Sequence, residues 1–164
     1  MKLTRSTILT GLAILVLVAA IPGAIRDTLE SGRIHLFSWQ FLAEIPARLT
    51  GPGRFRFVMQ PSMAILLGLR GGLADARAGR PPYLMGLLFD PLHRREYVRA
   101  GVAAIRDLVA IGIILDVVAQ FLIFRQVHPG AALTIGPVLI TGPYVLARAL
   151  TNRVARLAGR RTSS

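Results

Sequence analysis

Apolar residues along this chain fall into four long runs, separated by short segments rich in glycine, proline and arginine. The first run, from Ile8 to Ile25, is eighteen residues without a charge, which at ~1.5 Å per residue approaches the ~30 Å hydrocarbon core of a bilayer. A second lies at 57–74, broken near its ends by Gln60-Pro61 and Arg70. The pair Asp90-Pro91 reads as an N-cap followed by a proline at the first helical position, so one helix is predicted to continue to Phe124. Such a helix would reach ~50 Å, longer than a membrane, and its spanning part is placed at 102–124. The fourth run, 131–147, contains Pro137 and Pro143 and is expected to kink.

Between the first two runs the period changes. Ile34, Leu36, Phe37, Phe41, Leu42, Ile45 and Leu49 recur at helical spacing, with Gln40, Glu44 and Arg48 on another side, while Pro46 and the charges interrupt any span. This segment, 34–49, is predicted to be one amphipathic helix lying in the interface, with Trp39 at headgroup level. The expected architecture is an all-α integral membrane protein: one helical domain over 1–164, four transmembrane helices, an interfacial helix and a basic tail at 148–164. A cleaved signal peptide ending at Ala20 is the competing reading of the N-terminus, although the apolar run is long for one and Pro22 crowds the cut.

Composition supports a membrane setting. The chain is 53% apolar yet carries 20 Lys and Arg against 8 Asp and Glu, a formal charge of +12. Basic nucleic-acid arms are poor in apolar residues, and the tail lacks interleaved aromatic residues for stacking, so nucleic acid is not an expected partner. A bilayer with anionic headgroups matches both the grease and the charge. With both termini cytoplasmic, twelve basic residues fall on that side and six, namely Arg26, Arg33, Arg48, Arg54, Arg56 and Arg125, on the other. The excess favours a multi-pass protein of the bacterial inner membrane with both ends inside.

Polar residues within the spans are the candidate sites, because charge at membrane depth is costly and finds a partner or a wet cavity. Arg70 and Asp107, with Arg106 beside it, fall at similar depth, so an Arg70–Asp107 ion pair is expected. Asp116 has no arginine at matching depth in the four spans. It lies one turn from Gln120, on an arc shared with Arg106, and Gln60, Ser62 and Thr141 are the neighbours expected to hydrogen-bond to it. The reading casts Asp116 either as glue between helices or as a proton- or cation-coupling carboxyl. Ala64, Gly68, Gly72 and Ala76 line one face of the second span and permit close approach by a neighbouring helix, including that of a membrane-protein partner or a second copy of the chain.

Little points to catalysis. There are no cysteines, and His35, His93 and His128 lie in loops or at interfaces, so neither a metal site nor haem ligation is implied and no cofactor is expected. No phosphate-binding glycine loop, Gly-x-Ser-x-Gly elbow or His-Glu-x-x-His pair occurs. Asp75, Arg77 and Asp90 form only a loose match to the acidic motifs of membrane phosphoalcohol transferases. The segment Leu73-Ala-Asp-Ala-Arg-Ala-Gly-Arg-Pro-Pro-Tyr-Leu84, with Thr-Asn-Arg-Val-Ala-Arg at 151–156, resembles a group of small uncharacterised bacterial inner-membrane proteins. The resemblance covers roughly 55–157 and implies a helical protein of several spans, with no activity or functional residue to carry over. The function expected from these features is structural or accessory; the rival is a small transporter or channel subunit that uses Asp116.

Overall fold

The computed structural model describes residues 4–32 and 39–161. It is 86% helix, with no strand among the described residues. Four helices are long and apolar enough to cross a membrane, which makes this an all-α, membrane-embedded protein. In order the helices are α1 (Arg5–Ser31), α2 (Trp39–Ala43), α3 (Ile45–Thr50), α4 (Arg56–Arg77), α5 (Tyr83–Phe89), α6 (Arg94–Phe124) and α7 (Pro129–Arg161).

Local chemistry sets several boundaries. Thr4 caps α1 by accepting a hydrogen bond from the Thr7 amide, and Gly32, at φ 66°, closes it with its own amide on the Thr28 carbonyl. Asp90 does supply a cap, but the helix itself starts later than expected. Its carboxylate accepts the His93 amide across the 91–93 turn, and α6 begins at Arg94. Pro137 and Pro143 do not end α7, which runs on through residues 148–161. The expected basic tail is therefore mostly helix.

The interfacial helix expected at 34–49 takes another form. Residues 33–38 lie outside the described part, and the remainder is two short helices that break at Glu44. Pro46 explains the break: it has no amide to donate and suits only the first turn of a new helix. Trp39 is exposed, whereas Arg48, expected on the polar face, is 1% exposed.

The chain divides into two compact units. The first comprises Met1–Met59 and Asp107–Leu139. Its apolar core joins Ala13 of α1, Ala110, Ile113 and Val117 of α6 and Ala132 of α7, with Leu9, Val16 and Ile114 packed around them. Small side chains bring these backbones together. A Cβ at Gly136 would stand 3.2 Å from the Gly112 carbonyl carbon.

The second unit comprises Gln60–Arg106 and Ile140–Ser164. Here the predicted small-residue face of α4 is in use. Ala64 is fully buried, and a side chain at Gly68 or Gly72 would collide with the α7 backbone at Tyr144 and Arg148. The neighbour that this face was expected to admit is thus α7 of the same chain. A cluster of three tyrosines completes the unit: the Tyr83 ring meets Tyr97 and Tyr144 edge-on at 6.0 and 6.2 Å, and its hydroxyl donates to the Tyr97 carbonyl.

Candidate functional site

Each unit contains one buried polar cluster. In the first unit the centre is Asp116, eight residues before the end of α6 and 1% exposed. The sequence left this carboxyl without a countercharge; the structure supplies two. Arg56 Nη1 stands 2.6 Å from Asp116 Oδ1 and also donates to the Leu115 carbonyl, while Arg48 Nη1 lies 3.7 Å from Oδ2. Arg48 Nη2 donates to Glu44 Oε2 at 3.0 Å, one turn back. Two guanidiniums and two carboxylates therefore balance inside the unit, where an unpaired charge would be strongly disfavoured.

Gln120 extends the cluster, and here the expected one-turn spacing produces a bond. Its Nε2 donates to Asp116 Oδ2 at 2.7 Å, and its Oε1 accepts the His128 amide at 2.8 Å. The His128 ring is 3.5 Å from Asp27 of α1. The guanidiniums of Arg48 and Arg56 lie over the rings of Phe124 and Phe57 at 5.1 and 5.0 Å. Even so, Nε and Nη1 of Arg48 and Nε and Nη2 of Arg56 make no hydrogen bond. The cluster is balanced in charge but under-satisfied in hydrogen bonds.

The other expected site residues distribute differently. Asp107 accepts a hydrogen bond from Ser6 of α1, where Arg70 was its anticipated partner, and Arg70 is exposed on α4. Arg106 is exposed too, so the arc it was to share with Asp116 and Gln120 is not uniformly buried. Of the neighbours expected for Asp116, Thr141 is exposed, and Gln60 is 4% exposed with neither side-chain polar atom hydrogen-bonded.

In the second unit Arg148 of α7 is the centre. It opens the expected basic tail, yet it is 5% exposed. Its Nε and Nη2 donate to Asp75 Oδ2 and Oδ1 at 2.6 and 3.0 Å, a two-pronged contact, and Nη1 donates to the Tyr144 hydroxyl at 2.7 Å. The guanidinium stacks 4.3 Å from the Tyr83 ring centroid. Burial raises the Tyr83 pKa above its ordinary value. Asp75 is spent on this pair, and Arg80 adds a looser contact to it at 3.7 Å. Asn152, fully buried one turn beyond Arg148, donates to the Arg80 carbonyl.

Beside this pair opens a cavity of about 630 Å³ lined by Arg80, Arg148, Asp90, His93, Glu96 and Tyr97, with small residues of the 78–81 turn. Asp90 and His93 form an exposed pair, Oδ2 to Nδ1 at 2.9 Å. The bonds from His93, its amide first, hold the Asp90 pKa below the ordinary value. Among the described residues, no group of three or more His, Cys, Asp or Glu is placed to hold a metal ion.

No protein-family model, curated protein or solved structure matches the chain.

Both clusters were partly hidden from sequence reasoning for one reason. Arg48, Arg56 and Arg148 lie outside the four apolar runs, where the sequence reads as interface, loop or basic tail. For two of the three a usable signal exists: Glu44 and Arg48 sit four apart, as do Tyr144 and Arg148, so each of these arginines shares its turn with a residue that can satisfy it.

Proposed function

We propose that this chain is a non-catalytic protein of the bacterial inner membrane, structural or accessory in role, with both termini in the cytoplasm. The observation that carries the reading is that in each unit the buried charges close on one another. Asp116 is taken up by Arg48, Arg56 and Gln120, and Asp75 by Arg148. A carboxylate with two arginines against it has no vacant side for a transported cation. These groups serve the helix packing.

The surface suits an anchored accessory protein. Arg94, Arg95, Arg99, Arg153 and Arg156 are exposed, and each basic residue near an anionic membrane adds about 1 kcal/mol of attraction. α1 has only 6% of its apolar window buried, leaving Ile8, Leu15, Val18 and Ile25 to lipid or to a partner membrane protein.

Two measurements test the reading. Proteoliposomes of the purified chain should show no H⁺, Na⁺ or K⁺ flux above empty vesicles, and Asp116→Asn should change nothing. Flux abolished by that variant would establish the transporter reading instead. Because the chain has no cysteine, single substitutions report topology directly. Thr7→Cys and Ser163→Cys should react only after permeabilisation, and Arg125→Cys in intact spheroplasts; the reverse pattern would overturn the orientation.

A further inference from the structure

The 630 Å³ cavity of the second unit has a size typical of small-molecule sites, and its charges are of both signs. That is unusual for its surroundings. The unit holds twelve Lys and Arg but only three acidic residues, and two of the three, Asp90 and Glu96, line the cavity while the third, Asp75, binds its Arg148 wall. Two of the lining groups, Arg80 and Glu96, are also incompletely engaged. Arg80 makes only its 3.7 Å contact to Asp75, its side chain 61% exposed, and Glu96 has no ion-pair partner among the described residues. Around the lining residue Asp90 the chain is apolar and exposed: Phe89 and Leu92, before and after it in sequence, are 77% and 88% exposed, and Leu88 is exposed as well.

We propose that the cavity binds the headgroup of an amino-phospholipid, its phosphodiester against Arg80 and Arg148 and its primary ammonium against Glu96 and Asp90, with the acyl chains beside Phe89 and Leu92. Charge selects this ligand. Arg80 and Arg148 with Asp75 between them leave one positive charge, which a phosphodiester matches. An anionic headgroup without an amine would bring its charge to Asp90 and Glu96 with nothing to offer them. A quaternary ammonium would bring charge but no N–H donor. The exposed apolar residues that flank Asp90 in the chain assign the source to a lipid rather than to a free phosphoamine. The inference is independent of whether the chain has a protein partner.

Native mass spectrometry of the full chain, released from micelles doped equally with phosphatidylethanolamine, phosphatidylcholine and phosphatidylglycerol, tests it. Phosphatidylethanolamine should be retained at least about tenfold over each of the others, the ratio that loss of one charge-assisted hydrogen bond produces. Arg80→Gln and Glu96→Gln should each abolish that preference while the melting temperature stays within error, since neither side chain is buried. Equal retention of the three lipids, or a preference that survives both variants, overturns the proposal. Competition by millimolar soluble O-phosphoethanolamine at parity with the lipid overturns the lipid assignment.

Discussion

The two units solve the same problem, a buried arginine, with unequal completeness. In the second unit Arg148 spends its Nε and both Nη atoms on Asp75 and Tyr144 and lays its plane on Tyr83. In the first, Arg48 and Arg56 share Asp116, and four of their six nitrogens make no hydrogen bond. The difference follows from composition. The first unit has eight basic and five acidic residues, yet its tyrosines are nil, whereas the second brings all three tyrosines of the chain to one arginine. Hydroxyls and aromatic faces complete a guanidinium shell that a carboxylate alone leaves open. Neutralising a buried charge and satisfying it are separate requirements, and only the second unit meets both.

The widest gap between the units should appear when the carboxylate is removed. Asp116→Ala leaves the buried Arg56 with no carboxylate and Arg48 with Glu44 alone, and should lower unfolding free energy in an SDS titration by ~5 kcal/mol, the upper end for an uncompensated buried charge. Asp75→Ala strands one arginine that still holds Tyr144 and Tyr83, so ~3 kcal/mol is expected. Equal losses would break the comparison. Removing the cations reverses the ranking. Arg56→Met leaves Asp116 with Arg48 and Gln120 and should be milder than Asp116→Ala, whereas Arg148→Met leaves Asp75 with only the distant Arg80. The double variant Asp75→Leu with Arg148→Met should recover most of the loss, because a buried pair replaced whole by apolar groups is often near neutral.

Packing around α4 offers a smaller effect. Gly72→Leu drives a side chain into the Arg148 carbonyl and Thr151, and overpacking of this kind should cost about 1–3 kcal/mol by the same titration. Gly142, where a Cβ meets nothing within 4 Å, is the control: Gly142→Ala should leave the midpoint unmoved or slightly raised.

The sequence exposed the parts of this molecule that depend on one helix at a time. The four spans, the one-turn bond from Gln120 to Asp116 and the small-residue face of α4 all follow from length or period within a single run. What it concealed depends on two segments meeting. Matching by depth covers only residues inside the four apolar runs, so it pairs Arg70 with Asp107 and leaves Asp116 alone, because nothing along the chain says that the short helix after Glu44 folds its arginine onto α6. The same limit hid the occupant of the Gly68–Gly72 face. Close-packing residues announce that a neighbour exists, and carry no information about whether that neighbour is α7 or another protein.

The smallest expected effect belongs to the exposed Asp90–His93 pair, and its sign follows from the direction of the shift. Hydrogen bonds from the His93 amide and ring favour the Asp90 carboxylate, so its pKa is lower in the folded protein than in the unfolded chain. A depressed carboxyl pKa contributes stability above the unfolded value and loses it as pH falls through the folded one. Asp90→Asn should therefore melt slightly below the parent at neutral pH. That gap should close as the pH is lowered through the carboxylate range, because the parent then loses what the variant never had. His93→Ala removes the ring contact but keeps the backbone bond, which is the larger cause of the shift, so its gap should be the narrower of the two. A gap that widens toward acid pH would mean that Asp90 is held in its neutral form, contrary to the hydrogen bonds it accepts.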